Sequence, residues 1–127
     1  MRIEELDTPA LCVDLDVLEN NISDLQSACD ALDIPLRVHT KTHKTPAIAH
    51  MQIQAGAIGI VSQKIGEAEA MAAAGIPDIL IPYNIVGKTK LQRLSSLVRE
   101  SDSTITVAAD SSDRKSTRLN SSHQIIS

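Results

Sequence analysis

Residues 57–83 read AIGIVSQKIGEAEAMAAAGIPDILIPY, and this stretch decides the fold class. The short apolar run at 57–61 predicts a buried strand. Residues 65–74 are rich in alanine and predict a helix, which Gly75 ends. The apolar run at 78–83 predicts the next strand. A strand, a helix and a second strand in close succession are typical of an α/β fold with a parallel sheet.

The same alternation continues on both sides of this stretch. The sequence predicts further strands at 10–15, 34–39 and 104–108 and further helices at 17–32, 46–55 and 88–98. Asp16, followed three residues later by Glu19, predicts a capping box at the start of the first helix. Five strands separated by helices imply a parallel sheet with right-handed crossovers. The chemistry of such folds lies at the carboxyl ends of the strands, where Lys41 and Asn84 are expected.

Residues 37–44, RVHTKTHK, place cationic side chains at alternating positions directly after an apolar run. Side chains of a strand point to opposite faces with period two, so we expect Arg37, His39, Lys41 and His43 to share one face. Like charges disfavour the ammonium form of a lysine, and a free amine on a rigid strand end suits Schiff-base chemistry with an aldehyde cofactor. Lys41 is therefore the catalytic candidate. Arg37, His39 and His43 are candidates for binding the cofactor, because a cationic face attracts a phosphate and a carboxylate.

Two other interpretations of the same residues remain open. Lysines and histidines between threonines are also typical of a solvated loop. A metal site at His39, His43 and His50 is the weaker hypothesis, because histidines four apart suit zinc on a helix and the acidic partner of the helical zinc motif is missing. We therefore predict no metal ligand in this chain.

The composition excludes some classes of function. The chain has 127 residues, a net charge of −4 and a pI of about 5.5, and it contains no Phe or Trp and only Tyr83. Nucleic-acid-binding domains usually carry a basic stripe, so nucleic acid is not an expected partner. No apolar run approaches the length of a membrane span, and the acidic start does not resemble a signal peptide. Cys12 and Cys29 fit buried thiols in a reducing compartment, so we expect a cytoplasmic protein.

Residues 113–127, DRKSTRLNSSHQIIS, differ in composition from the rest of the chain and show no core periodicity. The segment at 113–123 resembles the in-frame translation of a widely used sequencing adapter. We therefore expect 1–112 to be the genuine domain and 113–127 to be a non-native, disordered tail without functional weight.

Several motifs in 1–112 together resemble one family, the D-threonine aldolase and D-serine dehydratase group of pyridoxal-phosphate enzymes, which are of the alanine-racemase-like type (fold type III). The motifs are LDTPA at 6–10, VDLD at 13–16, HTKTHK at 39–44, AGA at 55–57, GEA at 66–68 and DIL at 78–80. The resemblance implies that Lys41, the first lysine of the HTKTHK motif, binds the cofactor covalently. Val38 departs from the family, which commonly has proline there. The family fold is a (β/α)8 barrel followed by a β-rich domain. A full barrel takes about 250 residues, so 1–112 corresponds to roughly its first half.

The resemblance also implies a function. It predicts a pyridoxal-phosphate-dependent lyase acting on 3-hydroxy D-amino acids, as an aldolase or a dehydratase, with this chain an inactive fragment. A divalent metal is expected only of the full-length form, because the part of the family that binds it is missing here. The full-length form is also expected to be a homodimer. Two alternatives remain: a non-catalytic barrel protein that carries the cofactor, and an amino-acid racemase of the same superfamily.

Overall fold

A computed structural model of the chain describes residues 2–109 and 125–126. A short 3-10 helix at Ile3–Glu5 precedes the main elements. The helices are α1 (Leu15–Ala31), α2 (Pro46–Gln54), α3 (Ile65–Ala73) and α4 (Lys88–Glu100). The strands are β1 (Arg37–His39), β2 (Gly59–Val61), β3 (Asp78–Ile81), β4 (Thr104–Ala108) and β5 (Ile125–Ile126).

The strands form one parallel sheet in the order β1-β2-β3-β4-β5. Val38 pairs with Ile60 and Ile60 with Ile79, which in turn pairs with Ile105, so equivalent positions lie side by side across the sheet. Each neighbouring pair within β1–β4 is joined through one helix. The predicted α/β fold with a parallel sheet is therefore confirmed.

The core lies between one face of the sheet and the helices. Alternate strand residues supply one side of the core, since side chains alternate between the two faces of a strand. The buried strand residues are Val38, Ile60, Ile79, Ile81 and Ile105, and the buried helix residues include Ala49, Ile65, Ala68, Met71, Leu94, Leu97 and Val98. The remaining strand positions, which include Arg37 and His39, belong to the opposite face. This second face is the one that positions the site.

The prediction of a strand at 10–15 is wrong. Residues 10–14 form no strand, and Leu15 already belongs to α1. A strand requires a neighbour for its backbone hydrogen bonds, and the described residues supply none here. Leu11 and Val13 are consequently exposed, with 98% and 51% of their surface accessible. Cys12, predicted to be buried, is exposed as well, while Cys29 is partly buried.

The N-cap of α1 also differs from the prediction. Asp14, not Asp16, is the cap, and its Oδ1 accepts a hydrogen bond of 3.1 Å from the backbone nitrogen of Val17. Asp16 instead lies in the first helical turn, where a negative charge is favourable near the amino end of the helix. The capping rule identified the right kind of residue but placed it two positions too late.

Only Ile125–Ile126 of the tail predicted at 113–127 is described. Its backbone pairs in parallel with Val107 and Ala108 at the end of β4, where the sequence predicted no strand. The domain boundary after residue 112 and the expected disorder of the rest of the tail lie outside the described residues.

Candidate functional site

Lys41 lies just beyond the carboxyl end of β1, as the sequence predicted. The strand ends at His39, and Thr40 begins a turn that holds Lys41. Thr40 fixes this turn to β2, because its backbone nitrogen and its Oγ1 both donate to the carbonyl oxygen of Val61, at 3.0 and 3.1 Å. A hydrogen bond of 2.8 Å from the backbone nitrogen of Lys44 to the carbonyl oxygen of Thr40 closes the turn. The side chain of Lys41 is exposed above this fixed backbone.

His39 is hydrogen-bonded to the backbone of Lys41. Its Nδ1 accepts a hydrogen bond of 3.3 Å from the backbone nitrogen of Lys41. Its Nε2 is buried and has no hydrogen-bond partner among the described residues. Burial and the positive charge of Lys41 lower the pKa of His39, while the charge of Glu67 and the nearby backbone of Val61 oppose them. The ring is therefore neutral near pH 7, and with Nδ1 as the acceptor its proton belongs on Nε2.

The second lysine of the motif has a different environment. Lys44 adopts a left-handed backbone conformation, with φ of 50°. Its Nζ lies 2.8 Å from Oε1 of Glu67, a residue of α3 whose side chain is only 7% exposed. The other carboxylate oxygen accepts a hydrogen bond of 2.9 Å from the backbone nitrogen of Gln63. Burial by itself raises the pKa of Glu67, but the close contact with Lys44, the hydrogen bond from Gln63 and the charges of Lys44 and Lys64 outweigh it, so this pKa lies below its ordinary value.

Arg37 is not the free cation that the sequence suggested. Its guanidinium donates to both carboxylate oxygens of Asp78, at 2.7 and 3.2 Å. Both side chains are mostly buried. The pair spans β2 at Gly59, where an added Cβ would lie only 2.5 Å from Nη1 of Arg37. Arg37 therefore ties β1 to β3 at the amino ends of the strands, on the same face of the sheet as His39.

His43 does not share a face with His39, in contrast to the predicted alternation. The strand ends before His43, so period two no longer applies. The His43 ring lines a cleft of about 330 Å³ between α1, α2 and β1, together with Val38 and Ile22. Its Nδ1 accepts a hydrogen bond of 3.0 Å from the backbone nitrogen of Thr45, which precedes α2. Burial lowers the pKa of His43, although hydrogen bonds with Gln52 and Thr45 oppose this.

The three histidines considered as metal ligands have separate surroundings. Nε2 of His50 lies 2.8 Å from the carbonyl oxygen of Ala74 and forms a hydrogen bond there. Among residues 2–109 and 125–126, no three His, Cys, Asp or Glu side chains come together in a group that could hold a metal. Within the same residues, no helix is both long and apolar enough to cross a membrane. The residues of the site that act on one another, through contacts or through charge, are His39, Lys41, Lys44 and Glu67.

Comparison with known proteins points to one group. The chain is 44% identical over 97 residues to a D-threonine aldolase of Arthrobacter sp., an alignment covering 76% of this chain and 26% of that enzyme. It is 36% identical over 111 residues to a 3-hydroxy-D-aspartate aldolase of Paracoccus denitrificans, covering 87% of this chain and 28% of that enzyme. No family model matches the chain.

Solved structures of the same group have the same fold. The crystal structure of D-threonine aldolase from Filomicrobium marinum superposes with a TM-score of 0.85 at 39% identity, covering 91% of this chain and 31% of that one. The chain is a relative of the D-threonine aldolase group. A second member, the D-threo-3-hydroxyaspartate dehydratase from Delftia sp. HT23, superposes with a TM-score of 0.77 at 36% identity, covering 89% and 29% of the two chains. The chain spans between a quarter and a third of the length of these relatives, as expected for an N-terminal segment of such an enzyme.

Sequence reasoning missed two functional contacts. Neither the ion pair of Lys44 with Glu67 nor that of Arg37 with Asp78 was predicted, because the partners are 23 and 41 residues apart in the sequence. One signal was available for the second pair. A glycine inside a strand, here Gly59, often marks a close approach of neighbouring groups.

Proposed function

We propose that this chain carries the lysine-bearing segment of a pyridoxal-phosphate-dependent lyase acting on 3-hydroxy D-amino acids. The observation that carries the proposal is the exposed Lys41 on a fixed turn at the carboxyl end of β1, in a chain related to aldolases and a dehydratase. In parallel α/β folds this edge of the sheet carries the chemistry.

The residues of the site fit the cofactor. Lys41 offers an amine without an ion-pair partner among the described residues, and an amine is what an aldehyde cofactor requires. Within the described part of the chain, the buried Nε2 of His39 has no hydrogen-bond partner, and a bound polar group would satisfy it. When bound, the pyridoxal group supplies an aldehyde that captures amines and a ring that accepts electrons from a bond breaking at the α-carbon.

Each residue of the chain then has a limited task. Lys41 binds the cofactor. His39 holds the backbone of Lys41 through Nδ1 and donates a hydrogen bond from Nε2 while it stays neutral. Thr40 anchors the turn to β2, so that the lysine projects from a rigid position. Arg37 and His43 act at a distance: Arg37 fixes the strands through Asp78, and His43 fixes the start of α2.

The proposal is tested in a full-length relative that carries this segment. Lys41→Ala should abolish turnover of D-threonine and of 3-hydroxy-D-aspartate, because it removes the amine that binds the cofactor. Lys90→Ala is the matched control. Lys90 is exposed in the first turn of α4, and this substitution should leave turnover unchanged. Substantial turnover by the Lys41→Ala variant would refute the proposal.

The same assays can place the activity within the group. We expect an aldehyde and glycine as products if the α–β bond is cleaved, and a keto acid and ammonia if the hydroxyl is lost. We propose that the 127-residue chain alone shows neither activity, since it spans less than a third of its relatives. The cytoplasmic location, the homodimer and the use of a divalent metal by the full-length form stay predictions.

A further inference from the structure

The site contains two lysines on one turn, and only one of them is needed. Lys41 and Lys44 are three residues apart, and both have exposed side chains. Either amine could attack an aldehyde if exposure alone decided the outcome. If Lys41 binds the cofactor, as proposed above, the fold must distinguish the two lysines.

Lys44 is bound to a buried carboxylate. Its Nζ lies 2.8 Å from Oε1 of Glu67, whose side chain is 7% exposed. The backbone at Lys44 is left-handed, with φ of 50°, and its nitrogen donates a hydrogen bond of 2.8 Å to the carbonyl oxygen of Thr40. Uncharging Lys44 would leave the Glu67 carboxylate buried without its ion-pair partner, and a buried unpaired charge is unfavourable.

Lys41 has no such constraint. In the described part of the chain its side chain forms no ion pair, and its backbone nitrogen bonds to His39. The charged groups that act on Glu67 are Lys44 and Lys64, and Glu67 in turn acts on His39. Lys64 is exposed at the amino end of α3 and acts through its charge alone, whereas Nζ of Lys44 also lies 2.8 Å from the carboxylate.

We propose that Glu67 is a specificity-determining residue that reserves Lys41 for the aldehyde by holding Lys44 as its ion-pair partner. Capture of an aldehyde needs the unprotonated amine. The nitrogen lone pair attacks the carbonyl carbon, the two N–H hydrogens leave with the carbonyl oxygen as water, and a C=N bond forms. The ion pair opposes this sequence at Lys44, because the ammonium must first give up its proton and leave Glu67 uncompensated.

The test uses formaldehyde with cyanoborohydride on the purified chain, without any cofactor. The hydride reduces the C=N bond, the nitrogen takes up a proton, and the methylated lysines are quantified by mass spectrometry with fragmentation. In the wild type we expect Lys41 to be modified faster than Lys44. Glu67→Gln should raise the Lys44-to-Lys41 ratio by about twofold to fivefold, the factor that corresponds to a partly exposed ion pair.

The matched control is Glu69→Gln on the same helix. Glu69 binds Arg93 of α4 through a hydrogen bond of 2.9 Å to Nε, away from both lysines, so the ratio should not change. An unchanged ratio in Glu67→Gln, or equal rates for the two lysines in the native wild type, would overturn the proposal. If Glu67→Gln unfolds, the methylation rates of Lys88 and Lys90 change as well. The Lys44-to-Lys41 ratio of the wild type, compared between the native and the urea-unfolded chain, then decides: the ratio should rise on unfolding.

Failure of this inference and failure of the proposed function are distinguishable. Formaldehyde reports the reactivity of the two amines whether or not the protein binds a cofactor. The lyase assay of Lys41→Ala reports the function whether or not Glu67 sets the preference.

Discussion

Replacing Gly59 with alanine tests the packing that ties β1 to β3 beneath the site. An added Cβ would lie 2.5 Å from Nη1 of Arg37, 2.9 Å from the carbonyl oxygen of Asp78 and 3.1 Å from its Cβ. The Arg37 tip can move, but the Asp78 carbonyl belongs to the backbone of β3 and cannot. Overpacking of this kind costs about 1–3 kcal/mol. In urea unfolding, where small proteins lose about 1–3 kcal/mol per molar, the midpoint should fall by roughly 1 M.

Gly66→Ala is the control, and its expected change in stability has the opposite sign to that of Gly59→Ala. Gly66 lies in α3, and the nearest atom to its added Cβ is the flexible Nη2 of Arg93 at 3.3 Å. Alanine favours a helix over glycine by up to about 1 kcal/mol, so this variant should be slightly more stable than the wild type. The double variant Arg37→Ala with Gly59→Ala should be less stable than Arg37→Ala alone, because the added Cβ still meets the backbone carbonyl oxygen of Asp78. A Gly59→Ala chain as stable as the wild type would refute the description of this contact.

Three further measurements address the caps and charges. Asp14→Ala should cost about 0.5–2 kcal/mol in urea unfolding because it removes the cap of α1, whereas Asp16→Ala should cost only a few tenths; the reverse order would restore the capping box predicted from sequence. The stability that Glu67 contributes through its lowered pKa should be present above about pH 4.5 and be lost as the pH falls through the pKa of Glu67 in the folded state. The urea midpoints of wild type and Glu67→Gln should therefore converge in acid. A difference between the midpoints that widens in acid would contradict this. In an NMR titration, His39 and His43 should both titrate below 6.5, and a value above 6.5 for either would contradict its described burial.

Local patterns made most of the fold predictable. The helices from α1 to α4 and the strands from β1 to β4 all appear within the predicted segments or within two residues of them. Alternating apolar runs, a proline at the start of α2 and glycines at helix ends are signals that act over a few residues. The position of Lys41 after β1 follows directly from them, because a strand must end before a polar turn.

The remaining features depend on contacts between distant residues. Residues 10–14 have the composition of a strand, but no described strand lies beside them. His43 was predicted to share a face with His39, but β1 ends at His39, so the alternation of a strand does not reach His43. A strand boundary is hard to place from sequence. The ion pair of Lys44 with Glu67 required knowing how α3 packs beside the turn, which no periodicity in the sequence encodes.

The most direct test of the account is to identify the lysine that binds the cofactor. The chain, or a full-length relative that carries it, is incubated with pyridoxal phosphate, reduced with borohydride and digested, and the labelled peptide is mapped by mass spectrometry. We predict a label on Lys41, with Lys44 and the exposed lysines of α4 labelled far less. A label mainly on Lys44, or one spread evenly over the exposed lysines, would contradict it.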